Sequence, residues 1–328
     1  MRKSVWLASV FALTLTASAC GQEPGDVAQS TQGEVVSSAA SSAAAVAQEA
    51  ATDVAPVSRQ TYIFPEDAWR PLEPENTLYI ETEHGMIVLE LAPEFAPNHV
   101  ERMKTLARDH FYDYLVFHRV IDGFMAQGGG SRSNPAHSTD LPNLEAEFTI
   151  RRGPDMPISE LQQRTVNPRQ DPRQAPAGFW NGFAAGTAPI AQSAITGDGQ
   201  VDSWLLHCAG AASMARTSDP NSAGSQFYIT RGNADHLNTQ YTVWGRVRYG
   251  QAAVESIAVG TMGENFGFTP DSIQSMRVGS DLAEEDRLDL EVVDTNSAAF
   301  AAYLDTLRNS DGQLPDVCDI PVPTRLTE

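Results

Sequence analysis

The stretch that decides the fold runs from Phe117 to Gly130, "FHRVIDGFMAQGGG". Arg119 is followed by Phe124, Met125 and Gln127, and then by three glycines. No Lys-Ser/Thr pair follows the glycines and they open no helix. A phosphate loop is therefore excluded, and a tight backbone path is expected over Gly128 to Gly130. His118 neighbours Arg119 in an extended run, so the two side chains point to opposite faces. We read His118 as structural rather than as a general base. What has to be explained is a fixed cation, two large apolar side chains and a carboxamide brought together without a nucleophile.

Outward from this stretch the pattern is that of strands. "TLYIETEHGMIVLEL" reads as two strands around a turn at His84-Gly85. Leu78 and Ile80 share one face, and Ile87, Leu89 and Leu91 share another. The second strand is apolar on both faces except at Glu90, which suits a curled barrel wall. "APNHVERMKTLARDHFY" predicts a helix with Pro97 at its start and Val100, Met103, Leu106 and Ala107 as its apolar stripe. "YLVFHRVI", "GSQFYIT" and "YTVWGRV" predict further strands, the second after the turn-rich "TSDPNSAG". On "SQFYIT" the alternation puts Gln226 and Tyr228 on one face and Phe227 and Ile229 on the other.

The chain has 328 residues, 41% of them hydrophobic, and a formal net charge of -20. That charge argues against nucleic acid as a partner, because neutralising phosphates needs a basic face. The N-terminus, "MRKSVWLASVFALTLTASACGQ", has a basic start and an apolar run over Val5 to Leu15, too short to span a bilayer. We read residues 1–19 as an export signal. Ala17 to Ala19 followed by Cys20 and Gly21 resemble a bacterial lipobox, with Ala17 in place of the commoner leucine. Cys20 is the expected lipidation site, which places the protein on the periplasmic side of the envelope, the outer membrane being favoured because no aspartate follows Cys20. The alternative is ordinary cleavage after Ala19 and a soluble periplasmic or secreted protein. Residues 20–60, rich in Ala and Ser, read as a disordered tether. The seven histidines and three cysteines match no metal or redox spacing, so no metal is expected. A Cys208–Cys318 bridge stays open in an oxidising compartment, but nothing in the sequence brings the two together. His207-Cys208 reads as ordinary packing, with no third group to make a thiol catalyst.

"VFHRVIDGFMAQGGG", "GAASMARTSDPNSAGSQFYIT" and "YTVWGRV", in this order, resemble the core motifs of the cyclophilin family of peptidyl-prolyl isomerases. "LEAEF", Leu144 to Phe148, resembles the acidic stretch that follows the glycine run in that family. The resemblance covers roughly Leu78 to Val278. It implies a mainly β fold, an eight-stranded antiparallel barrel capped by two helices. The first cap is the helix over Asn98 to Arg108. The second lies near "YGQAAVESIAV", where Ala253, Ile257 and Ala258 recur at helical spacing.

The resemblance also implies the chemistry. Rotation about an X-Pro bond meets a resonance barrier of about 18–20 kcal/mol. In the twisted amide the nitrogen becomes pyramidal and regains its lone pair, so a held cationic donor favours that form without any covalent step or cofactor. Arg119 matches the family's catalytic arginine, and its guanidinium is always charged. Gln127 matches the glutamine that bonds the substrate backbone and orients the arginine. Phe124, Met125, Leu237 and Gln226 match pocket residues, with Tyr228 on the same face as Gln226. Ala215 and Arg216 match the backbone that bonds the residue before proline. The chain departs from the family at four positions. Tyr228 stands for phenylalanine, and its hydroxyl must find water or a partner. His236 stands for tryptophan, Tyr241 for histidine and Arg216 for asparagine. The lost tryptophan implies weaker binding of the cyclic peptide cyclosporin.

Two segments exceed the family pattern. Residues 149–205 form an insertion in a domain spanning 61–280, rich in Pro and Gly, with Phe179, Trp180, Phe183 and Trp204 as anchors. Its arginines, Arg151, Arg152, Arg164, Arg169 and Arg173, read as a basic cluster. A long inserted loop is expected, either a surface elaboration or a clamp beside the groove. In the extension 281–328, Asp281 to Asp289 reads as solvated, and "NSAAFAAYLDTL" as a short helix on the barrel with Phe300, Leu304 and Leu307 inward. The reading is an exported, monomeric peptidyl-prolyl isomerase acting without a cofactor on proline-containing, unfolded envelope or secreted proteins. The alternative is a proline-peptide-binding module or holdase with weak or no catalysis.

Overall fold

The computed structural model describes residues 62–130 and 139–327. The export signal, Cys20 and the tether expected over 20–60 lie outside the described residues. In chain order the first elements are β1 (Trp69–Pro71), β2 (Thr77–Thr82), β3 (Gly85–Leu91), α1 (Pro97–Arg108), β4 (Arg119–Ile121) and β5 (Met125–Gly128). The insertion supplies β6 (Ile150–Arg152), β7 (Ser159–Asn167), β8 (Asp171–Trp180), β9 (Phe183–Thr187) and β10 (Val201–Leu205). Then come β11 (Ala211–Met214), β12 (Phe227–Thr230), β13 (Val243–Tyr249), α2 (Gln251–Ser256), β14 (Gly260–Thr261) and β15 (Ile273–Val278). The extension carries β16 (Leu290–Val293), α3 (Ala298–Thr306) and β17 (Thr324–Leu326).

The main sheet has the antiparallel order β14-β4-β5-β12-β11-β13-β3-β2-β15, nine strands of which β14 is only a two-residue edge. It curls until its ends meet. Val116, just ahead of β4, bridges Ser272, just ahead of β15, flanked by Phe117 N–H to Asp271 O and Ile273 N–H to Leu115 O at 2.9 and 2.7 Å. Joining the ends in this way satisfies backbone groups that an open sheet would leave at its edges. Inside lie Leu78, Ile80, Ile87, Leu89, Phe117, Phe227 and Trp244, all fully buried, with α1 contributing Val100, Met103 and Leu106. Cutting one such Leu or Ile to Ala costs about 2–5 kcal/mol, because the cavity left behind collapses only in part.

Helix α1 starts at Pro97, where a missing N–H costs nothing. Its first turn has no acid of its own. Glu147, from the acidic stretch, supplies one: its carboxylate accepts from the Asn98 and His99 N–H groups, both at 3.1 Å, and from His99 Nδ1 at 2.6 Å. Burial pushes the Glu147 carboxyl up, but these bonds outweigh it and hold it below the usual range. The second helix is shorter than expected. It ends at Ser256, and Ile257 enters the core from an extended backbone.

The lone charge on β3 is explained by its neighbours. Glu90 lies between Arg248 and Arg70, each at 2.7 Å. Arg248 is buried under the insertion and also donates to Gly182 O at 3.1 Å. A paired, hydrogen-bonded charge is tolerated there where a lone one would not be.

The insertion is not the loop that its proline and glycine content suggests. It folds into a five-stranded antiparallel sheet, β6-β10-β9-β8-β7. Alternation fails in β8 because its later half, from Ala175 to Trp180, is buried on both faces. The basic cluster is not a free surface either. Arg151 pairs with Asp198 and Asp202, Arg164 with Asp235 and Asp316, and Arg173 with Asp171. Arg152 is buried, bonding Ser203, Thr187 and Met156 O.

In the extension the acids Asp281, Glu284, Glu285, Asp286 and Asp289 are exposed, as expected, but the chain around them packs. β16 pairs with both β1 and β17. Leu282, Leu288 and Leu290 pack on Tyr79 and Val88, and the Tyr79 hydroxyl bonds the Leu288 backbone. Helix α3, capped by Ser297 Oγ accepting from Phe300 N–H, buries Phe300 and Leu304 against Phe179 and Phe64, that is, on the insertion and the N-terminal segment rather than on the barrel. Cys208 and Cys318 form a disulfide, which ties the extension to the turn before β11. With its sulfur in that bond, Cys208 offers no thiol.

Candidate active site

The pairing register builds the site. Arg119 stands opposite Thr261 on one side and Gln127 on the other, Gln127 opposite Tyr228, and Tyr228 opposite Ser213. Directly paired residues share a face, so this row crosses five strands on one face of the barrel wall. Phe227 and Ile229 point the other way, into the core, as the alternation on β12 requires. Thr261 has no signal in the sequence alone, since only the β14–β4 pairing brings it beside Arg119.

Polar groups in the row are held by one another. Arg119 Nη1 donates to Gln127 Oε1 at 3.3 Å and lies 3.8 Å from Met125 Sδ. Gln127 Nε2 donates to Gln226 Oε1 at 3.0 Å. The Gln127 amide is thereby fixed, oxygen toward the arginine and nitrogen toward Gln226. The glycine run has its reason here. Gly130 has φ +73°, and a Cβ on it would lie 2.5 Å from Gln226 Cγ.

These residues open onto a groove of about 240 Å³ lined by Arg119, Phe124, Met125, Gln127, Ala215, Arg216, Tyr228, Leu237 and Tyr241. Its apolar wall is one cluster, Met125, Tyr228, Ala234 and Leu237, with Phe124, Ala215 and Tyr241 packed against it. Gln226 and His236 do not line the groove. Gln226 stands behind Gln127, and the His236 ring packs on Phe124 with centroids 5.4 Å apart. Burial, then the charge of Arg169, hold the His236 imidazole below its ordinary pKa. The Arg216 guanidinium lies 4.4 Å over the Tyr241 ring and donates to Gln240 O at 2.9 Å. The groove thus carries two arginines and no acid among its lining residues, in a chain of net charge -20. Another cavity, about 190 Å³ beside Tyr79, Arg287 and Leu290, holds none of the candidate site residues.

The Tyr228 hydroxyl finds a partner in His207, which reads in sequence as mere packing. The oxygen meets His207 Nε2 at 3.1 Å in a buried pair. Asn238 Oδ1 accepts the His207 backbone N–H at 2.9 Å and faces Nδ1 at 3.2 Å. That oxygen calls for a proton on Nδ1, which leaves Nε2 as the acceptor for the tyrosine. Burial drives the His207 pKa down to about 4, only partly offset by the Asn238 bond, so the imidazole is neutral at pH 7. A tyrosine where the family has phenylalanine was the available signal for such a partner.

Residues 77–278 match the family model described as cyclophilin type peptidyl-prolyl cis-trans isomerase/CLD. The chain belongs to this family. A probable peptidyl-prolyl cis-trans isomerase of Brucella suis is 32% identical over 217 residues, 64% of this chain and 85% of that protein. A peptidyl-prolyl cis-trans isomerase of Streptomyces antibioticus is 30% identical over 213 residues, 62% of this chain and 96% of that protein. Among solved structures, the cyclophilin AquaCyp293 of Hirschia baltica superposes with TM-score 0.69 at 34% identity, over 80% of this chain and 98% of that one. This cyclophilin is accordingly a peptidyl-prolyl cis-trans isomerase of mainly β fold.

Proposed function

We propose that the Arg119 groove is where this cyclophilin turns over its substrate, and that Arg119 and Gln127 carry the catalysis. The observation that supports this reading is the Arg119–Gln127–Gln226 relay, which holds a permanent cation at the edge of an apolar cluster. The proline ring packs on Phe124, Met125 and Leu237. Arg119 stabilises the lone pair that appears on the proline nitrogen as the amide twists, or the neighbouring carbonyl. Gln127 holds the guanidinium and bonds the substrate backbone. Ala215 and Arg216 meet the residues before proline, with Tyr228 and Tyr241 closing that side. No covalent intermediate forms.

The test is cis/trans exchange of an Ala-Pro peptide, measured by NMR with the full chain and its Arg119→Lys variant. Removing one preorganised donor set costs about 10²–10³ in rate elsewhere, and the same order of loss in kcat is expected here, since lysine keeps the charge but not the planar fork. A folded wild type that binds the peptide without accelerating exchange would instead favour a proline-peptide-binding or holdase role.

The proposal extends to location and clients. The N-terminal signal and the Cys208–Cys318 disulfide both suit an oxidising compartment. Cys20 carries a lipid, and proline-containing envelope or secreted polypeptides are the substrates. Labelled palmitate should enter the wild type and not Cys20→Ser in a host with lipoprotein-processing enzymes. Equal labelling would place the lipid at a residue other than Cys20, and no label in either would leave the soluble exported form.

A further inference from the structure

Two side chains of β7, Asn167 and Arg164, reach from the insertion to the wall of the groove. Asn167 ends β7 at the turn into β8 and is fully buried. Its Nδ2 donates to the backbone oxygens of His236 and Asn238, at 3.0 and 2.6 Å. Its Oδ1 accepts the N–H groups of Arg169 and Gln170, at 2.9 and 3.0 Å. One amide thus holds its own turn with its oxygen and the pocket wall with its nitrogen. Arg164, on the same strand, donates from Nη2 to both carboxylate oxygens of Asp235, at 2.8 Å each, and from Nε to Asp316 at 2.9 Å.

The held segment has only short turn bonds of its own, such as Leu237 N–H to Ala234 O and Gln240 N–H to Leu237 O. Residues Asp235–Leu237 form a single 3-10 turn, and Thr239, just beyond, is a β-branched residue at φ +59°. Such a backbone persists only where its surroundings impose it. That turn places Leu237 in the groove and lays His236 on Phe124. Asn238 continues the path, because its Oδ1 meets His207, which meets the Tyr228 hydroxyl. Without Asn167 the Asn238 carbonyl, in a buried bond, would be an acceptor left without this donor.

We propose that Asn167 is a positioning residue for the proline pocket, and that the insertion holds the Leu237 wall at the spacing that grips a proline ring. Asn167 touches no substrate and acts through His236, Leu237 and Asn238. The proposal rests on the groove being the substrate site. Misplacing a gripping wall by a fraction of an ångström weakens binding of the ring more than it affects the arginine, which sits across the groove on other strands.

The test uses the full chain with Asn167→Asp. Aspartate keeps the shape and the acceptor for the turn but removes both donors and sets a carboxylate against two carbonyls. KM for the Ala-Pro peptide is expected to rise about tenfold with kcat within about threefold, the reverse of Arg119→Lys. Arg164→Lys, which keeps the charge but not the two separate donors that reach Asp235 and Asp316, should give a smaller rise in KM. A folded Asn167→Asp with unchanged KM and only a lower melting temperature would overturn the proposal and reduce the bond to stability. If Asn167→Asp does not fold, Arg164→Gln carries the same KM criterion. Peptide Kd by NMR titration is measured alongside. A wild type that binds without turnover defeats the catalytic reading, while the Kd change in the variants still decides this one. A wild type that neither binds nor turns over refutes both.

Discussion

Lowering the pH should weaken this fold through one buried histidine before its carboxylates titrate. His207 is held neutral between Asn238 and the Tyr228 hydroxyl, with a pKa of about 4 in the folded chain against about 6.5 when exposed. A folded pKa below the unfolded one means the unfolded chain binds more protons in between. Stability is therefore full above about pH 6.5 and is lost as pH falls toward 4. The gap, at about 1.36 kcal/mol per pH unit, sets a ceiling of about 3 kcal/mol. There is a geometric reason as well. A proton on Nε2 would turn that nitrogen into a donor facing a hydroxyl that now donates to it, so the tyrosine would have to reverse its hydrogen. The assay is urea unfolding of the wild type and His207→Gln from pH 7.5 to 4.5, with the disulfide intact. The variant cannot titrate, so other groups, His236 included, drop out of the difference between the two curves. The difference should shrink by about 2–3 kcal/mol as pH falls. Parallel curves would refute the neutral, buried His207 and with it the assigned direction of the tyrosine bond.

Gly130→Ala should force Gln226 off Gln127, because its Cβ lands 2.5 Å from Gln226 Cγ at a backbone φ of +73°. Stability should fall by about 1–3 kcal/mol and kcat severalfold by the peptide exchange assay, and a variant with normal kcat would show that the relay is not needed. Cys318→Ser removes a bridge across 110 residues of sequence. Chain entropy sets its worth at up to about 5 kcal/mol, so the wild type's urea midpoint should fall in reductant while the variant's stays low and unchanged.

Much of this protein was legible in the chain of residues because it depends on local periodicity. The alternation of Leu78 with Ile80, the Pro97 start of α1 and the φ-permissive glycines report conformations set within a few residues. The chemistry-bearing Arg119, Phe124, Met125 and Gln127 lie close together along the chain, so their grouping survives without a fold. Other features depend on residues far apart in sequence. Nothing in the proline-rich insertion foretells a sheet, since its strands are defined by ladder bonds to one another and by burial of β8 on both faces, Phe179 against Phe300 and Trp180 against Phe95, rather than by alternation. Its arginines read as a basic patch until Asp198, Asp202, Asp235 and Asp316 are brought to them. Only the tertiary structure pairs Cys208 with Cys318, lends Glu147 to the start of α1, sets Thr261 beside Arg119 and lets Asn167 support the wall that carries Leu237. Each of these is a contact across many residues whose closure the rest of the fold has already made, which is why one-dimensional pattern carries no trace of it.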